Sequence, residues 1–102
     1  MENINNYCTI SNNVINGCGQ LKWCIRENPK KEVDSGWVFL SSIDTSEFLS
    51  ETDNWSIVPI SFVVEVEPAI LQILEMSYGT EVTLVREDNG LFFVDSNTGE
   101  KL

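Results

Sequence analysis

The side chains that could carry chemistry in this sequence are carboxylates and cysteines, because histidine is absent from all 102 residues. That absence excludes Ser-His-Asp and Cys-His catalysis, histidine zinc sites and the usual general base near neutral pH. Acid–base chemistry would require a carboxylate, lysine, tyrosine or cysteine with a shifted pKa. The sequence also lacks a Walker A motif and a G-x-G-x-x-G fingerprint. It therefore favours a protein that is not an enzyme and binds no cofactor or metal.

The three cysteines, Cys8, Cys18 and Cys24, form no C-x-x-C pair, which argues against a zinc knuckle or a thioredoxin-type motif. An odd number cannot complete a disulfide framework, so we interpret them as reduced thiols of a cytoplasmic protein. The alternative is that Cys18, between two glycines, is an exposed reactive thiol. The first residues lack a signal-peptide pattern, and no apolar run reaches the roughly 20 residues that span a bilayer.

Charge is unevenly distributed along the chain, which has 16 acidic and 6 basic side chains and a formal charge of −10. Residues 1–31 hold four basic and two acidic groups, a net charge of +2, whereas residues 32–102 hold two basic and fourteen acidic groups, a net charge of −12. Ten carboxylates and no cation occur from Glu32 to Val85. This balance disfavours nucleic acids and anionic membranes as partners and permits a basic protein.

The segment from Asp44 to Trp55 concentrates these charges, since it also contains Glu47, Glu51 and Asp53. One interpretation is a solvated face that aids solubility. The other is a recognition surface for a basic partner, with Trp55 as an aromatic anchor, although Trp55 fits the core equally well. The spacing does not match an EF-hand calcium loop. A chain of this length also leaves little room for the sugar cleft of a two-carboxylate glycosidase.

The elements that would position these groups are short. Alternation of apolar and polar residues predicts strands at Tyr7–Ser11 and Leu21–Arg26, and the apolar run Trp37–Leu40 predicts a central strand. Period two is most regular from Val58 to Val66, which predicts a fourth strand. Pro59 near its start indicates an edge or an early bend.

Two helices are predicted between and after these strands. Asp44 is expected to cap a short helix, with Glu47 completing a capping box. Pro68 suits the first turn of a second helix, and Gly79 is a natural stop.

A hairpin signal at Asn89-Gly90 joins two further strands, Val82–Arg86 and Leu91–Val94. The resulting order, β-β-β-α-β-α-β-β, predicts an α+β fold. We expect a single domain, residues 1–102, with a mostly antiparallel sheet of five to six strands and two helices, one short, packed on it.

A family resemblance rests on motifs that occur in a fixed order: Arg26-Glu27-Asn28-Pro29, then Asp34-Ser35-Gly36-Trp37, then Glu67-Pro68-Ala69-Ile70 and Gly79. In this combination the chain resembles the immunity protein 33-like family of bacterial domains, from about Tyr7 to Glu87. It departs from the family pattern at Asn28, where an acid is usual, and at Ser41-Ser42, which replace a glycine and an acid.

The resemblance implies a non-enzymatic protein that neutralises a toxin deployed in bacterial competition. Its partner would be a protein, specifically a basic toxin domain, and the chain itself a monomer or a homodimer. The motif permits two interpretations: an Arg26–Asp34 loop staple beside a core tryptophan, or part of the binding surface. The residues predicted to contact the partner are Arg26, Glu27, Asp34, Trp37, Asp44, Glu47, Glu51, Asp53 and Trp55.

The sequence is also compatible with two other functions. The same fold and charge would suit a small housekeeping adaptor or regulatory binding domain. A carboxylate-dependent enzyme would need Glu27, Asp34 and Arg26 to converge on one pocket.

Overall fold

The computed structural model describes residues 6–28 and 34–102, and six strands of this part form one sheet in the order β4-β1-β3-β2-β5-β6. Neighbouring strands are antiparallel, except that β1 and β3 are parallel. The α+β class and the interior position of the Trp37 strand are confirmed. The strands are β1 (Tyr7–Ser11), β2 (Leu21–Arg26), β3 (Asp34–Ser41), β4 (Trp55–Pro59), β5 (Glu81–Glu87) and β6 (Gly90–Asp95).

In this part of the chain, three short α-helices and two 3₁₀-helices connect the strands. The α-helices are α1 (Asn12–Ile15), α2 (Ser46–Leu49) and α3 (Ile60–Val66), and the 3₁₀-helices are Thr52–Asn54 and Pro68–Gln72.

The helix caps differ in part from the prediction. The sequence did not predict α1, which Ser11 caps by accepting a hydrogen bond from the Asn13 N–H at 3.2 Å. The short helix α2 is confirmed, but its cap is Thr45, whose Oγ1 accepts from the Phe48 N–H at 3.1 Å. Asp44 is therefore not the cap that the capping-box pattern predicted.

The strand predicted from Val58 to Val66 is wrong, because β4 ends at Pro59 and the following seven residues form α3. Apolar residues stand at almost every position of this segment, so both the strand and the helix period fit it. Ile60 and Val63, three positions apart, are both fully buried, as a helical face requires. Pro59 has no N–H for a ladder and fits the end of an edge strand, which β4 is.

The hydrophobic core lies on one face of the sheet. Strand register aligns Ile10, Phe39, Cys24 and Val82 across four strands, and all four are buried. The buried side chains of the helical layer belong to the same cluster and are Val14, Ile60, Val63, Ile70, Ile73 and Leu74. In the described part of the chain, this layer covers only that face.

The second predicted helix is shorter than expected. It is the 3₁₀-helix that begins at Pro68, and turns follow it as far as Gly79. Glu67 caps it, since its Oε2 accepts from the Ala69 N–H at 3.3 Å. The other oxygen of Glu67 accepts from Arg86 Nη1 at 3.0 Å, which ties this layer to β5.

The predicted hairpin joins β5 and β6. Glu87 pairs with Gly90, so the two loop residues are Asp88 and Asn89, one position earlier than the Asn-Gly pattern indicated. Gly90 has φ +127°, a conformation that favours glycine.

Candidate functional site

Arg26, the first residue of the predicted binding motif, is buried at the end of β2, with 5% of its surface exposed. Its Nε donates to the Ser35 carbonyl at 3.0 Å, and its Nη1 donates to the carbonyls of Leu74 at 3.2 Å and Met76 at 2.7 Å. The guanidinium also lies over the Tyr78 ring, 4.5 Å from its centroid. Arg26 thus joins β3 to the turns that follow the second 3₁₀-helix.

Trp37 is fully buried and contacts the same segment as Arg26, the turns after the second 3₁₀-helix. Its Nε1 donates to the Leu74 carbonyl at 3.3 Å, and its ring stacks on Phe39 with centroids 5.9 Å apart. The two motif residues therefore converge on one carbonyl inside the fold, which favours the interpretation of Trp37 as a core residue. Pro29 and the charged residues up to Val33 lie outside the described residues.

The Asp-Ser-Gly sequence before Trp37 forms the first three residues of β3. Asp34 Oδ1 accepts from the Gly36 N–H at 2.9 Å, and Ser35 Oγ accepts from the Trp37 N–H at 3.1 Å. Gly36 has φ +86°, and a Cβ there would overlap the carbonyl oxygen of Glu27. A side chain at this position would separate β2 from β3, which explains the glycine physically.

Glu27 and Asp34 are the two motif carboxylates that the structure brings together. Glu27 is exposed, Asp34 is half-buried, and both line a depression together with Thr9, Val38 and Ile57. The Nε and Nη1 atoms of Arg26 donate to main-chain carbonyls. The three groups of the carboxylate-enzyme hypothesis are divided between two depressions, with Glu27 and Asp34 at this one and Arg26 and Glu27 at another beside Tyr78.

Asp44 is held inside a network of hydrogen bonds. It accepts from Ser11 Oγ and Asn13 Nδ2, both at 2.8 Å, and from the Ser41 N–H and Oγ, both at 2.7 Å. Burial alone would raise the pKa of this carboxyl, but the hydrogen bonds from Ser41, Asn13 and Ser11 outweigh it, so the pKa lies below its usual 3.8. Asp44 joins the ends of β1 and β3, whereas Glu47, Glu51 and Asp53 are exposed.

Trp55 is half-buried and lies outside the core cluster. Its Nε1 donates to the Leu49 carbonyl at 2.8 Å, which fixes the ring against the segment that carries the three exposed carboxylates. Its ring also lines a depression on the sheet face opposite the core.

This depression, which we call the open-face groove, has a volume of about 550 Å³. No motif in the sequence predicted this groove as a site. A signal was present in the run Trp37–Leu40, which is apolar on both faces of its strand, although the helices cover only one of them. The groove is lined by Thr9, Ile25, Glu27, Val38, Leu40, Thr52, Trp55 and Ile57.

The cysteines are free, with Cys8 and Cys24 buried and Cys18 exposed. Burial, with a smaller contribution from Asp34, raises the pKa of Cys8 to about 12. Burial and the charge of Glu67 raise the pKa of Cys24 as well. Within residues 6–28 and 34–102, no group of three or more acidic or cysteine side chains is placed to hold a metal ion. The same ranges contain no helix with the length and apolar character of a membrane span.

Comparison with protein families shows what this architecture corresponds to. The family model described as Immunity protein Imm33 domain matches residues 8–94. The chain belongs to the Imm33 immunity protein family. The match runs from β1 to β6 and confirms the resemblance found in the sequence. No curated protein and no solved structure matches the chain. In this Imm33 domain, Arg26 and Trp37 are buried side chains that join separate parts of the fold. The carboxylates of Glu27, Glu47, Glu51 and Asp53 are exposed.

Proposed function

We propose that this Imm33 domain binds and neutralises a bacterial toxin through an acidic surface, without catalysing a reaction. The observation that carries the proposal is the family match over residues 8–94, because an immunity domain implies a protein partner such as a toxin. Binding would block the active site of the toxin or another surface that the toxin needs. The free cysteines suit neutralisation in the cytoplasm.

The acidic surface comprises Glu27, Asp34, Glu47, Glu51 and Asp53. All but Asp34 are exposed, and Asp34 is half-buried. A field of this sign raises the association rate of a basic partner, since long-range attraction steers diffusional encounter.

The remaining residues predicted to bind the partner would act indirectly or beside this surface. Arg26 and Trp37 are buried, and Asp44 is engaged by four hydrogen bonds, so we propose that they support the surface. Trp55 is available at the groove as the aromatic anchor.

The direct test is co-expression of the chain with the product of each adjacent gene, followed by a growth-rescue assay and a pull-down with purified proteins. We expect one neighbouring product to be toxic alone, to be neutralised by this chain and to form a complex with it. Failure of both rescue and binding for every neighbour would refute the proposal. Such a failure, together with a neighbourhood of metabolic genes, would favour the adaptor function.

Charge reversal tests the acidic surface itself. Changing Glu47, Glu51 and Asp53 to Lys should slow association with the toxin by about tenfold or more at low salt, since steering contributes roughly 10 to 10³-fold. High salt should reduce the loss, because it screens exposed charges. Stopped-flow or biosensor kinetics at two salt concentrations would measure both effects.

A matched control changes three exposed carboxylates elsewhere, Glu87, Asp88 and Glu100, to Lys. The control alters the net charge equally but lies near the β5–β6 edge of the sheet. If the two triple variants slow association equally, net charge alone is responsible, and the location of the surface is wrong.

A further inference from the structure

The sheet face opposite the core is apolar, and in the described part of the chain the helical layer does not cover it. Strand register aligns Ile57, Thr9, Val38 and Ile25 in one row across four strands. These residues alternate with the buried row of the core, so they point to the other side. Ile57 is 74% exposed, although it stands in a strand. A contiguous apolar patch on the surface of a protein often marks an interaction site.

The open-face groove turns this apolar face into a concave site. Ile25, Val38 and Leu40 supply apolar lining from the two central strands, while Ile57 and Trp55 close the side at the β4 edge. The Trp55 ring is held by its hydrogen bond to Leu49, so this wall is already in position before a partner arrives. A preorganised apolar pocket is the usual environment of a hot-spot anchor in a protein interface.

In the described residues the charged groups at the groove are mainly carboxylates, while the Lys22 ammonium lies over the ring of Trp23, the register partner of the lining residue Leu40. The charged side chain among its described lining residues is Glu27. The lining residue Thr52 stands between Glu51 and Asp53 in the chain, and both of these carboxylates are exposed. An apolar floor with a carboxylate rim complements an apolar side chain that has cations beside it.

We propose that the open-face groove receives an apolar side chain of the toxin from a segment that places Lys or Arg on both sides of it. This inference rests on the proposed function, because the partner is the toxin. It adds which face of the sheet binds the toxin and which side chains of the toxin are bound. A second copy of this chain is a poorer occupant. It would bring a second rim of carboxylates against the first, on partners that each carry −10.

A defined peptide probe tests the groove without knowledge of the toxin. The probe is a short blocked peptide with one leucine between two lysines, added to ¹⁵N-labelled protein while amide chemical shifts are recorded. We expect saturable shifts at Thr9, Ile25, Val38 and Ile57. Peptides with serine in place of leucine, or glutamate in place of lysine, should bind at least about fivefold more weakly. The first lacks the apolar side chain that fills the groove, and the second lacks the cations that pair with the carboxylates. Equal responses to all three peptides, or shifts confined to other surfaces, would overturn the inference.

Ile57→Ala is the matching protein variant, because a side chain that is 74% exposed can be truncated without a cavity in the core. Leu71→Ala is its control, since Leu71 is also an exposed apolar residue, at 56%, but lies on the helical layer. Thermal unfolding should show both variants folded. Ile57→Ala should weaken binding of the leucine peptide, and Leu71→Ala should leave it unchanged.

The toxin identified by growth rescue provides the second arm. Ile57→Ala should raise its Kd about tenfold, because it removes part of the wall that contacts the apolar side chain of the toxin. If rescue succeeds and the Kd is unchanged in Ile57→Ala, the groove is the wrong site, although the proposed function stands. If no neighbouring toxin is neutralised, the proposed function fails, and the peptide titration still decides whether the groove has this specificity. Dimerisation of the free chain that buries the open face would also overturn the inference.

Discussion

Replacing Arg26 with methionine should destabilise the fold and leave the binding surface of the remaining folded protein intact. Methionine has a similar length and keeps the packing of the stem, but it removes the charge and every donor. The side chain is 5% exposed and reaches three main-chain carbonyls from the end of β2. The substitution therefore separates a structural role from a contact role for the first residue of the family motif.

The magnitude follows from which carbonyls lose their donor. The Leu74 carbonyl keeps the hydrogen bond from Trp37 Nε1, so the main losses are the bonds to Ser35 and Met76. A hydrogen bond to a charged group contributes about 1.5 kcal/mol or more, so two contribute about 3 kcal/mol. The contact with the Tyr78 ring adds about 0.5–1 kcal/mol. The substitution also removes the desolvation cost of burying a cation, and this gain offsets part of the loss in the free energy of unfolding.

We therefore expect a loss of about 3 kcal/mol in the free energy of unfolding, or roughly 12–24 °C in Tm for a domain of this size. Urea unfolding followed by tryptophan fluorescence would measure it. Lys101→Met is the matched control, because Lys101 is an exposed cation that also lies over an aromatic ring, that of Phe92. The control should lose less than about 1 kcal/mol.

The result that would refute the argument is a loss below about 1 kcal/mol for Arg26→Met, together with weaker toxin binding. Arg26 would then contact the partner, and the assignment of the motif to the scaffold would be wrong.

Two further predictions concern titratable groups. Asp44→Asn should destabilise the protein by about 1 kcal/mol at neutral pH. The folded-state pKa is lowered, so the stabilisation is present above the usual value of 3.8 and is lost as pH falls through the folded-state pKa. Urea midpoints at neutral and acidic pH should therefore converge for the two proteins, and a constant difference would contradict this. In the native protein a maleimide should modify Cys18 alone, because Cys8 and Cys24 are buried with raised pKa values. Mass spectrometry measures the sites, and native labelling of all three would show that the buried thiols are accessible.

Local sequence patterns predicted the positions of most strands, whereas the helical spacing after Pro68 belongs to a 3₁₀-helix and turns. The strand Leu21–Arg26 has the predicted bounds, and the hairpin before β6 lies one position earlier than its Asn-Gly pattern indicated, since strand pairing and turn chemistry depend on neighbouring residues. The segment Ile60–Val66 shows the limit. Its closely spaced apolar residues satisfy both periods, and the helix is selected by burial of Ile60 and Val63 against a sheet built from other parts of the chain.

The charge asymmetry and the motifs of the Imm33 family are properties of the sequence itself. Carboxylates such as Glu47, Glu51 and Asp53 stay in water in almost any compact fold, because burying an unpaired charge is costly. The functional role of Arg26, in contrast, could not be predicted from its type or spacing. A basic residue next to a strand end can point to solvent or to the core. The carbonyls of Ser35, Leu74 and Met76, which the fold brings to the end of β2, determine that it points inward.

The open-face groove also depends entirely on the tertiary structure. Its apolar residues come from three strands, β2, β3 and β4, and strand register places Ile57 of β4 in the same row as Val38 and Ile25. Each of these side chains alone resembles an ordinary strand residue. They form a groove because the helical layer that carries the core side chains covers one face of the sheet, whereas in the described part of the chain the other face has Thr52 of a 3₁₀-helix at its side. The sequence determines how many apolar and acidic side chains this chain has. The order and register of the strands determine which of them lie next to each other at the groove.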